Sequence, residues 1–188
     1  MTSPFGGVAG KLKRALPACA LVVTLALTPM GCKTRKVAEQ QTVEEPPPSL
    51  ASIVHVGDPK AAGQLLSGFH EIENHAWRWS MRQFSVVLRP PPGSAQRGAI
   101  LTLKLTLPAV VLQTEKTISL SASIDGHPLP AETWSQPGAF VYQRDVPATL
   151  LTGDAVRILF VLDKALPPGE KDARELGVVV STVGLELK

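Results

Sequence analysis

"ILTLKLTLP", residues 100–108, alternates Leu101, Leu103, Leu105 and Leu107 with Thr102, Lys104 and Thr106. Successive side chains of an extended chain point to opposite faces, so this stretch has one apolar and one polar side, as a half-buried antiparallel strand does. "TISLSASIDG", residues 117–126, repeats the pattern. Ile118, Leu120, Ala122 and Ile124 point one way and Thr117, Ser119, Ser121 and Ser123 the other. Asp125-Gly126 supplies a tight turn into "HPLPAETW". "RQFSVVLRP" sets Phe84, Val86 and Leu88 on one face, and "AFVYQRDV" does the same with Phe140 and Tyr142. "AVRILFVLD" alternates Val156, Ile158, Phe160 and Leu162, while Leu159 and Val161 suggest burial on both faces. "LGVVVSTVGLELK" closes the chain and is long enough for a central strand.

Between these runs lie "RPPPGSAQRG", "SQPG" and "LPPGEKDAR", which read as turns and loops. Helix is scarce. "DPKAAGQLLSG" offers Asp58 as N-cap, Pro59 at the first helical position and Gly68 past the end, and "PATLLTGD" offers another single turn. The fold class that follows is all-β: a single two-sheet antiparallel β-sandwich, jelly-roll or immunoglobulin-like, with about eight strands and one or two short helical turns.

The N-terminus divides the chain further. Lys11, Lys13 and Arg14 precede "ALPACALVVTLALTPM", and "GCK" follows. A charged region, a short apolar run and a small residue make a secretory signal. The run is too short for a span, which needs roughly 20 apolar residues, and Pro17 and Pro29 interrupt it. "TPMGC" resembles the lipobox of bacterial lipoproteins, in which a small residue precedes a cysteine that receives a diacylglycerol thioether. Gly31 and Cys32 match; Pro29 stands where that motif usually has Leu. "LPAC" at Cys19 has better flanking residues, Leu16 and Ala18, but leaves almost no apolar run after Arg14, so Cys32 is preferred. An ordinary signal peptide cut nearby is the alternative. The lipobox resemblance implies acylation of Cys32 and attachment to a membrane through buried acyl chains. Lys33, rather than Asp, after the cysteine implies delivery to the outer membrane where sorting follows the enteric pattern.

The organisation expected is therefore residues 1–31 as lipoprotein signal peptide, 32–50 as an acylated cysteine and tether, and 51–188 as the β-sandwich. "KTRKVAEQQTVEEPPPSL", residues 33–50, is polar, lacks aromatics and ends in a proline run, so it reads as a disordered tether. The 19 basic residues include the three of the targeting region, which leaves 16 against 16 acidic residues beyond it. The basic pI of about 9.0 is thus a property of the signal, and nucleic acid is not an expected partner. With Cys19 removed and Cys32 acylated, no disulfide and no cysteine nucleophile remain.

The densest chemistry lies in "GFHEIENHAWRWSMR", residues 68–82. On a strand Trp77 and Trp79 share one face, and Arg78, Ser80 and Arg82 the other. Two readings follow. In one, the cluster is chiefly architectural: both rings join the core beside "QFSVVL", and Arg78 faces Glu73 or the Asp172–Glu175 segment. In the other, a Trp ring beside Arg and Glu is a sugar platform, since sugar C–H faces stack on aromatic rings while carboxylate and guanidinium groups bind hydroxyls. "GEKDARELGVVV", residues 169–180, adds Asp172, Arg174 and Glu175 ahead of the last strand. Arg78 or Arg174 bridging Glu73 and Asp172 would tie the first and last strands together.

With these motifs the chain resembles a bacterial β-sandwich domain of carbohydrate-binding type, found in cell-envelope and polysaccharide-related proteins. The pattern is Gly68, Phe69 and Glu73, then Trp77-Arg78-Trp79-Ser80, then Asp172, Arg174, Leu176 and Gly177, with His70 where an aromatic such as Tyr is expected. The resemblance implies a non-catalytic module, with Glu71, Glu73, Trp77, Arg78, Trp79, Arg82, Asp172, Arg174 and Glu175 as ligand-binding or network residues.

Catalytic signatures are missing from the sequence. There is no G-x-S-x-G elbow and no phosphate loop. His55, His70, His75 and His127 lack metal-ligand spacing, and no cofactor is called for. Glu71 and Glu73 would be neighbours on one strand, whereas glycosidase carboxylates flank their substrate. The function expected is binding of an envelope or extracellular-matrix glycan by a lipid-anchored, non-enzymatic protein. The alternative is an accessory subunit docking onto an envelope protein.

Overall fold

A computed structural model describes residues 49–188. The segment expected as signal peptide, Cys32 and nearly all of the segment expected as tether lie outside the described residues.

The domain is an all-β antiparallel fold of nine strands: β1 (Ile53–His55), β2 (Leu65–Phe69), β3 (Arg78–Leu88), β4 (Ala99–Leu107), β5 (Ile118–Ile124), β6 (His127–Trp134), β7 (Gly138–Val146), β8 (Val156–Leu162) and β9 (Val179–Leu187). The pairing order is β6-β5-β8-β3-β9-β4-β7, with β1 on β9 and β2 on β3. β3 bends this order into two layers. Its first residues, Arg78 and Trp79, pair with β9, and Gln83–Leu88 pair with β8. One layer is therefore β7-β4-β9 with β1, and the other is β6-β5-β8-β3-β2.

Alternation fills the space between the layers. Phe84, Val86 and Leu88 of β3, Leu101 to Leu107 of β4, Ile118 to Ile124 of β5 and Val156 to Leu162 of β8 all turn their apolar members inward. Phe84 stacks on Phe160 at 5.0 Å, and the Tyr142 ring of the opposite layer meets Phe160 edge-on at 6.5 Å. Leu159 and Val161 are half-buried on the outer face. The tryptophan that the core uses is Trp134, 7% exposed and stacked on Phe140 at 5.3 Å.

The layers close differently at their two edges. At one edge β3 carries the backbone across. At the other, β6 and β7 are joined by side chains: Tyr142 Oη donates to the Pro130 carbonyl (2.8 Å), Arg144 Nε to the same oxygen (2.7 Å), and Arg144 Nη2 to Ala131 O (3.0 Å). Arg144 also pairs with Glu132 at 3.0 Å and lies 4.1 Å over the Tyr142 ring. Burial pushes the Tyr142 hydroxyl pKa above its ordinary value.

Several details differ from the sequence reading. The strands number nine rather than about eight, because β1 and β2 are short and carry no long alternation. Asp58 does cap a helical turn, accepting from Lys60 N at 2.9 Å, but the turn is a 3₁₀ segment that ends at Gln64. Gly68 is not a helix terminator. It sits within β2 at φ +75°, where a β-carbon would lie 1.9 Å from the Gln83 carbonyl oxygen. Two more short helices, α1 (Ser94–Arg97) and α2 (Ala109–Thr114), occupy connections. Among the described residues, no helix is long and apolar enough to cross a membrane.

Candidate functional site

The segment between β2 and β3 folds as a tight hairpin. Glu73 N donates to Trp77 O (2.9 Å) and Trp77 N to Glu73 O (3.3 Å), around Asn74 and His75, whose φ angles are +51° and +54°. Directly opposed residues of an antiparallel bridge share a face, with β-carbons about 4.5–5.5 Å apart, so Glu73 stands beside Trp77. The Trp77 and Trp79 rings meet edge-on at 6.4 Å. Trp79 lies across from Val179, and Val179 from Thr106, which is exposed. The tryptophans thus occupy the outer side of the β7-β4-β9 layer, half-buried, with Trp79 leaning on the core.

The loop between β8 and β9 comes to meet this hairpin. Arg174 grips Asp172 through Nε (3.0 and 3.3 Å) and Nη2 (2.8 Å), and its backbone N also donates to Asp172 (3.0 Å). Its Nη1 reaches Glu73 at 2.8 Å. These three groups are 37%, 35% and 34% exposed, so water screens the clasp, whose role is orientation more than stability. The hydrogen bonds from Arg174 hold the Asp172 carboxyl down to about 2, and those carboxylates raise the guanidinium pKa further.

Further contacts pin the loop. Leu166 and Leu176 exchange backbone bonds, Glu175 Oε1 accepts from Arg82 N (2.5 Å), and the Glu175 carbonyl lies 2.6 Å from His70 Nε2. Ser80, fully buried, accepts from Val178 N through Oγ at 3.1 Å, and Gly177 N donates to Ser80 O. A β-carbon at Gly177 would stand 2.7 Å from Ser80 Oγ and 2.5 Å from Leu162, which is why the loop enters the last strand through glycine.

Of the residues singled out from sequence, Glu73, Asp172 and Arg174 form the clasp, with Trp77 and Trp79 at its side. Glu175 and Arg82 join through the loop. Between the alternatives left open by the sequence, the placement of three groups is as follows. Among the described residues Arg78 meets no carboxylate: its Nε donates to Val56 O and its Nη1 to His70 O, both at 2.8 Å, so it braces backbone. Trp77 and Trp79 are half-buried on the outer side instead of in the core. Glu71 is exposed and takes no part in these bonds. His70 and Ser80 were not singled out as site members, and both lie inside the quoted motif.

Among the described residues, no group of His, Cys, Asp or Glu is placed to hold a metal ion. The arrangement offers a pair of aromatic rings, two carboxylates with unused acceptor capacity, and a guanidinium that bonds both carboxylates through all three nitrogens. These groups lie together on one end of an antiparallel sandwich. No family model matches the chain, and no curated protein matches it. A solved structure described as "CBM4 structure and function" is 13% identical, the match covering 72% of this chain and 85% of that one at a TM-score of 0.34. That likeness is too distant to carry an argument about the site.

Proposed function

We propose that the domain is a non-catalytic module that binds a glycan of the cell envelope or extracellular matrix through the Trp77 hairpin. The observation that supports it is the hairpin bridge itself: it sets Glu73 opposite Trp77, and Arg174 ties Glu73 to Asp172. A ring flank takes sugar C–H faces, and fixed carboxylate oxygens take hydroxyl donors. In this reading the domain is held to a membrane by acylated Cys32 and set off from it by residues 33–50, at the outer membrane if the cell has one.

One observation favours a second reading, an accessory subunit that docks on a protein. On the other layer a groove of about 690 Å³ is lined by Leu66, Val87, Leu159, Arg157 and Asp125, and Leu66 is 43% exposed. Strand addition at β6, β2 or β1 is disfavoured, whereas β7 has backbone pairing on one side, with β4. β6 carries Pro128 and Pro130 and is capped by Arg144, β2 pairs with register shifts, and β1 is three residues long. A glycan array run beside a crosslinking pull-down of the acylated protein separates the two. Glycan binding that Trp77→Ala abolishes supports the module. A specific protein partner with no glycan bound overturns it. Cys32→Ser should abolish metabolic acyl labelling and release the protein from membranes; persistent labelling of that variant refutes Cys32 as the anchor.

A further inference from the structure

The tryptophans sit at the end of a longer surface. Strand register arranges the outer face of the β7-β4-β9 layer into rows that run across the strands. Trp79, Val179, Thr106 and Ala139 form the first. His55, Thr182, Lys104 and Val141 form the next, and Ile53, Gly184, Thr102 and Gln143 the third. Val141 is 49% exposed and Ile53 43%, so the rows present apolar side chains to solvent. His55 Nδ1 lies 3.2 Å from Thr182 Oγ1, so the second row is already joined side to side.

Charge is sparse over these rows: Lys104 is their single lysine, and no Asp, Glu or Arg falls in them. Glu73, opposite Trp77, and Asp172 outnumber Arg174 in the clasp, and beyond the third row Glu186 and Asp145 flank Ile100, Asp145 paired with Lys188 at 3.1 Å. From β3 across β9 and β4 to β7 is three strand spacings, about 14 Å.

From this continuity we infer that the ligand is an uncharged polysaccharide chain lying across the strands, its C–H faces on Trp77, Trp79, Val179 and Val141 and its hydroxyls on Thr106, Thr182 and the flanking carboxylates. An acidic polymer meets the net negative Glu73–Asp172–Arg174 clasp at the tryptophan end and only Lys104 along the rows. A short sugar reaches the tryptophans alone, whereas a long chain also covers β4 and β7. This inference rests on the glycan-binding reading of the Trp77 hairpin and adds the charge class and the length of the ligand.

The test is binding by the full chain to short and long uncharged glucans and xylans, and to polygalacturonate, with Trp77→Ala and Val141→Glu as variants. Val141 is surface-exposed in mid-strand, so its substitution leaves the fold in place, which circular dichroism checks. The expected result is that Trp77→Ala loses every glycan, while Val141→Glu weakens the long uncharged chain by roughly tenfold or more and spares the short one. Val141→Glu behaving as the parent at every length overturns the extended surface and leaves the hairpin reading standing. Polygalacturonate bound more tightly than any uncharged chain overturns the charge class. No binding to any glycan overturns both.

Discussion

Closing one edge of a sandwich with side chains makes that edge easy to test. Tyr142 is fully buried, and its hydroxyl shares the Pro130 carbonyl with Arg144 Nε. Tyr142→Phe keeps the ring, its edge-on contact with Phe160 and its place under Arg144, and removes one hydrogen bond. A net hydrogen bond contributes about 0.5–1.5 kcal/mol, and here the acceptor keeps its second donor, so the loss belongs near the lower end. Arg144→Ala removes the bonds to Pro130 O and Ala131 O, the Glu132 pair and the contact with the Tyr142 ring. Arg144 is only 18% exposed, and its loss should cost about 2–3 kcal/mol. Because both side chains act on one oxygen and touch each other, the double variant should lose a different amount from the sum of the two, by about 0.5 kcal/mol or more. Urea denaturation of the four proteins measures this directly. Additive losses, or an Arg144→Ala variant as stable as the parent, would refute the idea that these side chains hold β6 to β7.

Gly68→Ala places a side chain at φ +75° against the Gln83 carbonyl. The left-handed backbone alone costs about 1–2 kcal/mol, and the clash adds to it, so thermal melting should show a clear loss; an unchanged melting temperature would mean β2 does not lie on β3 as described. Asp172 has its folded pKa lowered to about 2 from an ordinary 3.8, so its contribution to stability is complete above about 3.8 and lost as pH falls through about 2. Because water screens the exposed pair, Asp172→Asn should flatten the decline of stability between those values only slightly, which urea midpoints across that range measure.

Much of the fold was legible because each long strand has one apolar face, from Leu101–Leu107 to Val156–Leu162, and because Asp125-Gly126 and Asp58-Pro59 carry unambiguous turn and cap chemistry. The short elements were not legible. Helices of four to six residues, such as α1 and α2, owe their shape to their surroundings, and β2 is set by pairing with β3 rather than by its own pattern. At the site, sequence spacing brought the Glu73 and Asp172–Arg174 segments into view together but could not say which arginine bridges them, since that depends on how the two loops are folded. The side taken by Trp79 follows from strand parity. Trp79 and Phe84 are five residues apart on one strand, so alternation sets them on opposite faces; with Phe84 inside, Trp79 faces out.

The account stands most directly on a comparison of Trp77→Ala with Trp134→Ala, each assayed for melting temperature and for glycan binding. Trp134 is 7% exposed in the core, and its loss should cost about 3–5 kcal/mol, or roughly 10–20 °C in a domain of this size. Trp77 is half-buried on the outer face, and its removal should lower the melting temperature by only a few degrees, about 1 kcal/mol, while glycan binding disappears. If Trp77→Ala melts as low as Trp134→Ala, or melts near the parent and still binds, the hairpin is not the binding surface.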